Sequence, residues 1–408
     1  MSSKNDFYVV RETKFPQPIG HPVFIMASPI LQFVWQASHI KHVFRSGMLK
    51  RRVPAERCET TADHTAVGFI MMSVLVGKEY NPAFRLRTFE QWSVHDLAES
   101  GPFGDTPPGE IPEYHKKWME HTWFKIITES VPGKDRLRAL FAAYDTGITP
   151  EAIVDKQTDK LEAVAYSVPM SWRYHGVVPE RFIERRKGYF SVEPHKGLYE
   201  EIARIVMENP PRRMQERTYA RMSGRAKHPR PCDLPMFAKA SPLLQFVWQA
   251  SNIKHVYNPR FLHSAIPPEK RETVGDHITG GLSIIVSLFG GGCDPCKRLR
   301  IYELWAVAHL DDVLLEVVGP RIPGWGRIKA LVVELREGKT EEAQIVRQLG
   351  PLETALYAIT LGWHIPEFDP WPHLDRLEGF LTVPAFVELY QEARTLLEKS
   401  RPRSAQST

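Results

Sequence analysis

The chain has 408 residues, 43% of them hydrophobic and 25% charged, with 53 Lys and Arg against 48 acidic residues. That composition is globular rather than disordered, the length asks for two or three domains, and a formal charge of +5 is too thin for a general nucleic-acid coat. Only four cysteines exclude a disulfide framework, no apolar run approaches the roughly 18 residues of a membrane span, and MSSKNDFYVV lacks the apolar core of a secretory signal, so a cytoplasmic setting is expected.

In chain order the segments read as helices. LQFVWQASHIKHVF (31–44) is apolar nearly all round, as a buried helix would be. TADHTAVGFIMMSVLV (61–76) and FEQWSVHDLAES (89–100) carry apolar residues at helical spacing. PEYHKKWMEHTWFKIITESV (112–131) opens on Pro and continues as an amphipathic helix, and ITPEAIVDKQTDKLEAVAYSV (148–168) has a Pro-Glu start. From Met207 to Pro235 the chain turns Pro- and Arg-rich, with seven basic against three acidic residues, and reads as a solvated linker. Cys293 and Cys296 form a lone CxxC in GGGCDPC, a weak metal or redox signal without a second pair.

A repeat reorganises this reading. ASPILQFVWQASHIKHVF (27–44) returns as ASPLLQFVWQASNIKHVY (240–257), 213 residues later, with only three positions changed. At the same offset ETTADHTAVG (59–68) meets ETVGDHITGG (272–281), and LRTFEQWSV (86–94) meets LRIYELWAV (299–307). LEAVAYS (161–167) meets LETALYA (352–358) at an offset of 191. The expected organisation is therefore two all-α units, 1–206 and 236–397, joined by the linker 207–235 and followed by a disordered tail, 398–408. The near-identity of the first helix in both units predicts a packing role, an intramolecular pseudo-dimer or a homo-oligomer.

The first unit carries an ordered set of metal-ligand residue types: His64, the adjacent His95 and Asp96, and Asp159. Imidazole and carboxylate together suit Mn, Fe, Co, Zn or Mg. IKHVFRSG, ETTADHT, HDLAE, GDTP and TDKLEA, in that order, resemble the HD-domain phosphohydrolases, and within them the 5′-deoxynucleotidase branch. The resemblance covers about residues 27–170. It implies a helical fold with one divalent ion on His64, His95, Asp96 and Asp159, a catalytic carboxylate at Glu99, a second acid at Asp105 and a phosphate contact at Arg45. One extra residue between HDLAE and GD makes Asp105 the less secure placement. Lys41, four residues before Arg45, would share its face if the helix persists and add a second positive charge.

The expected activity is removal of the 5′-phosphate from (deoxy)nucleoside monophosphates, with neither membrane nor nucleic acid as partner. The alternatives are a deoxynucleoside triphosphate hydrolase and a non-catalytic nucleotide-binding regulator. A dinuclear site would draw on His115 and His121, but six helical residues place them about 240° apart. In the second unit His277 is kept, while Ala308, His309, Gly350 and Asn258 stand where His95, Asp96, Asp159 and Arg45 would be. That unit is expected to have lost the site.

Overall fold

The structure, a computed structural model, describes residues 13–107, 109–210, 225–262 and 264–400. It is all-α. Strand pairing among the described residues is confined to isolated bridges such as Phe44 with Thr60 and Tyr257 with Thr273. Helix starts follow a repeated local chemistry. Ser28, Asn81, Thr149, Ser241 and Asp294 each cap a helix whose first residue is proline, so the side chain satisfies an amide that the missing proline N–H leaves exposed further in. Thr60 and Thr273 close capping boxes with Asp63 and Asp276.

Those two capping boxes open the central helices, Thr61–Leu75 and Val274–Leu288, which pack against each other at the heart of the molecule. Both are buried on nearly every face, which is why neither shows a polar stripe in sequence. One apolar core runs through both halves of the chain, from Val23 to Leu397. Around it stand Pro82–Val94, Glu113–Thr128 and Pro150–Ser171 in the first half. Pro295–Val307, Trp325–Glu337, Glu341–His364 and Pro384–Ser400 stand in the second.

The contacts between halves come in reciprocal pairs. Trp35 Nε1 donates to the Leu356 carbonyl at 3.2 Å, and Trp248 Nε1 to the Ala165 carbonyl at 3.0 Å. Thr60 donates to Asp276 and Thr273 to Asp63. Lys14 pairs with Asp276 at 2.9 Å, and Lys227 with Asp63 at 3.4 Å. Ser28 bonds Glu392, and Ser241 bonds Glu201.

Three expectations change. The segment 31–44 is not one helix: Pro29–Ala37 is α, Ser38–His42 tightens to a 3-10 turn, and Val43 and Phe44 are bridged as extended chain. Lys41 therefore does not share a face with Arg45. The linker 207–235 shrinks from both ends, since Met207 and Glu208 finish a helix, and Ala226 and Lys227 bond to Val256 and His255 with the Lys227 side chain buried. Its residues 211–224 lie outside the described residues. The last helix runs to Ser400, so only 401–408 of the expected tail lie outside them. Cys293 and Cys296 are free thiols beside a helix start whose Asp294 accepts from the amides of Cys296 and Lys297; among the described residues they join no ligand cluster. Among the described residues no helix is long and apolar enough to cross a membrane.

The core holds an unusual number of histidines. Burial lowers His39 to about 3, His195 to about 4 and His277 to about 3, and pushes His42, His228, His255 and His309 well down. They are neutral when folded and take up protons near 6.5 when unfolded, so the unfolded state binds more protons in acid. These histidines make stability fall progressively as pH drops below about 6.5, each adding up to about 1.4 kcal/mol per pH unit. Urea unfolding at pH 7.5, 6.5, 5.5 and 5.0 reads this directly. A midpoint that does not fall would show that these rings are not buried neutral.

Candidate metal centre

Helix packing brings four of the expected ligands to one place. His64 comes from the first turn of Thr61–Leu75, whose capping box fixes that turn. His95 caps the end of Pro82–Val94, and Asp96 opens the short turn Leu97–Ser100. Asp159 lies midway along Pro150–Ser171. Trp92 anchors the second of these. Its indole fills the notch at Gly68, where a Cβ would come within 2.0 Å of the ring, and its Nε1 donates to the Thr65 carbonyl at 2.7 Å.

His64, His95 and Asp96 offer ligand atoms that all lie within 4.8 Å of one another. His64 Nε2 is also 3.3 Å from Asp159 Oδ1. Buried His64 Nε2, His95 Nε2 and Asp96 Oδ2 make no hydrogen bond among the described residues. His95 and Asp96 approach to 3.0 Å without aligning as one. Three unpartnered buried polar atoms turned to one point are what a cation site requires, because each would otherwise cost its desolvation. The other ring nitrogens are committed. His95 Nδ1 donates to the Trp92 carbonyl at 2.6 Å, and His64 Nδ1 bonds Glu162 at 2.5 Å. Both commitments leave Nε2 facing the site. Residues and chemistry fit a divalent ion.

The electrostatics agree. Burial alone would lower His64, but Glu162 and Asp159 outweigh it and lift the ring to about 9. Asp96 and Asp159 resist burial and stay well down the carboxylate range, Asp96 through His95, His64 and Arg45, Asp159 chiefly through Lys160 and His64. The set stores one proton on His64 that a cation would displace. Tyr144 donates to Asp159 at 3.2 Å and steadies it.

Beside this cluster lie Arg45, Glu99 and Asp105. Arg45 Nη1 is 3.9 Å from Glu99 and 3.7 Å from Asp105. Gly104, just before Asp105, takes φ +54°, and Asp105 accepts from the Ser46 amide and hydroxyl at 2.7 and 2.8 Å. Glu99 accepts from Thr61 at 2.8 Å. Burial and the charges of Asp105 and Asp96 push Glu99 well up. Asp105 is buried too, but Arg45 and the Ser46 donors hold it down. Two neighbouring carboxyls thus differ in proton affinity, the usual sign of divided acid and base roles.

Lys41 does not join them. It is fully buried and paired with Glu272 at 2.7 Å and with Glu353, both from the second half. The nearby lysine is Lys116, on Glu113–Thr128; burial disfavours its charged form, but Glu120, Glu99, Asp105 and Asp96 outweigh that and hold its proton. His115 is exposed, and His121 pairs with Asp145 at 3.1 Å, so neither turns to the cluster. Sequence reasoning missed Lys116, Tyr144 and Glu162. Only Glu162 carried a signal, three residues after Asp159 and hence one helical turn away.

In the second half, among the described residues, the corresponding position holds an arginine and a glycine in place of the ligands. Arg260 Nη1 lies 3.4 Å from His277 Nε2, and a Cβ on Gly350 would meet that same nitrogen at 3.4 Å. Glu272, His277 and Glu353 do form a ligand-like group, yet the Lys41 ammonium already sits among them. Asp311 is spent on Gln249, Asn252 and the Leu314 amide.

The helical fold sets His64, His95, Asp96 and Asp159 together as one candidate metal centre. Residues 37–193 match the HD domain family. The chain is similar to 5′-deoxynucleotidase hdd1 of Schizosaccharomyces pombe, 28% identical over 154 residues that cover 36% of this chain and 75% of the relative.

Proposed function

We propose that the chain is a divalent-metal-dependent phosphohydrolase that removes the 5′-phosphate of (deoxy)nucleoside monophosphates. The observation that carries this reading is the convergence of unpartnered His64, His95 and Asp96 atoms beside Arg45 and two carboxyls of opposed acidity. Similarity to a 5′-deoxynucleotidase supports the substrate class. His64, His95, Asp96 and Asp159 hold the ion, which when bound neutralises phosphoryl oxygen charge and acidifies a water. Arg45 offers a planar pair of donors to the phosphate. Glu99 carries a proton that can pass to the leaving 5′ oxygen, while ionised Asp105 accepts from and orients a water. Glu162 keeps the Nδ1 side of His64 occupied. In the same reading the chain is a tandem pair of HD-type units, the first ending by Glu208 and the second spanning 226–400 without a working site.

The test is phosphate release from a panel of nucleotides with Mn, Co, Fe or Mg, run beside a His95→Ala/Asp96→Ala control. Release of inorganic phosphate from monophosphates, lost in the control, is expected. Triphosphate release from deoxynucleoside triphosphates would move the reading to that substrate. Equal release by both proteins would remove it.

A further inference from the structure

The second half reaches into the first half's metal centre through one residue. Lys254, fully buried, places its ammonium 2.5 Å from Glu162 Oε1 and against Glu59. Glu162 uses its other oxygen, Oε2, to hold His64 Nδ1 at 2.5 Å. A continuous chain thus runs from Lys254 through Glu162 to His64, whose Nε2 faces the site. The ammonium also sits 3.8 Å over the Tyr166 ring, which fixes it from a further side.

We infer that Lys254 is a positioning residue for the first half's metal centre, supplied in trans by a half that has no working centre of its own. The inference rests on the metal-site reading above. Glu162 can orient His64 only while its carboxylate is held in place. A buried carboxylate without a counter-charge is costly and turns toward other partners instead. Lys254 removes that cost and pins the carboxylate plane by taking the oxygen that His64 does not. Partners of this kind set the ring tautomer and the basicity of a ligating nitrogen, and their loss typically weakens metal binding about 10–100-fold.

The molecule carries its own control. Lys41 makes the mirror-image chain, to Glu272 and to Glu353, and Glu353 bonds His277 Nδ1. It lies 4.2 Å over Tyr357 as Lys254 lies over Tyr166. There the histidine faces Arg260, not a ligand cluster. Loss of either lysine removes an equivalent buried ion pair from the same interface. Only Lys254 leads to the metal centre.

The experiment compares Lys254→Met with Lys41→Met in the full-length chain, by thermal unfolding and by titration with Mn after chelator treatment. Both should lose similar melting temperature. Lys254→Met should bind Mn about 10–100-fold more weakly than wild type, Lys41→Met within about threefold, and Lys254→Arg should recover most of the loss. Equal Mn affinity in the two Met variants would overturn the inference and leave the lysines as interface ion pairs only. If Lys254→Met does not fold, Lys254→Gln and Lys41→Gln decide, because each keeps a polar donor for its carboxylates while removing the charge. Selective weakening in Lys254→Gln supports the inference, and matching affinities overturn it. A wild-type chain that takes up no divalent ion would overturn the metal-site reading and this inference together. Wild-type uptake with unchanged Lys254 variants would overturn this inference alone.

Discussion

Asp96→Asn should abolish tight binding of a divalent ion and reduce nucleotide hydrolysis by at least about 10³-fold, the equivalent of about 4 kcal/mol of barrier. The substitution keeps the shape of the side chain and removes only its charge. In the wild type that charge is held ionised against burial by His95, His64 and Arg45. An amide oxygen is a poor ligand for a borderline cation, and its NH2 would donate to the imidazole nitrogens and occupy the lone pairs that the ion needs. Metal analysis of the purified proteins and kcat with added Mn measure both effects. A variant with wild-type metal content and a rate within tenfold would show that Asp96 is not a ligand.

The second large effect concerns the chain as a whole. A fragment ending at Glu208 should not persist as a folded monomer. It would keep Lys41 but lose Glu272 and Glu353, and keep Glu59 and Glu162 but lose Lys254. Breaking a buried pair by removing one partner costs about 3–5 kcal/mol, and three such partners vanish together. The apolar core is cut as well, since the two central helices bury one another. The ion pairs alone match the roughly 5–15 kcal/mol by which a protein is stable, and the cut core adds to that loss. The fragment has one escape. Its own Glu59 and Glu162 are the counterparts of Glu272 and Glu353, so two fragments can satisfy each other's Lys41. Light scattering and circular dichroism should find it unfolded, aggregated or dimeric. A well-dispersed folded monomer would mean the halves are independent.

Much of this was legible in the sequence because it is written locally. Proline after a capping residue marks helix starts, and ETTADHT and HDLAE name the residues that meet at the centre. Asp105 stands beside Arg45 despite the extra residue, held there by the Ser46 amide and hydroxyl. What sequence could not give depends on tertiary placement. Lys41 looked like a surface cation one turn from Arg45, but the helix stops at Ala37 and the side chain points into the other half. Lys227 looked like linker charge for the same reason, until the backbone bridge beside it turned it inward. Lys254 lies nearly 200 residues from Glu59 in sequence and carries no motif at all.

The reciprocal lysines also govern how the molecule can move. Lys14, Lys41, Lys227 and Lys254 each cross from one half to an acid in the other, and none of these pairs is exposed. Rotation or sliding between the halves by a few ångströms would strand several charges at once in a low-dielectric interior. The junction is therefore a weld and not a hinge. The two halves keep a fixed register, and any adjustment around the centre falls to segments that make no such crossing pair, such as the turn from Ser100 to Asp105.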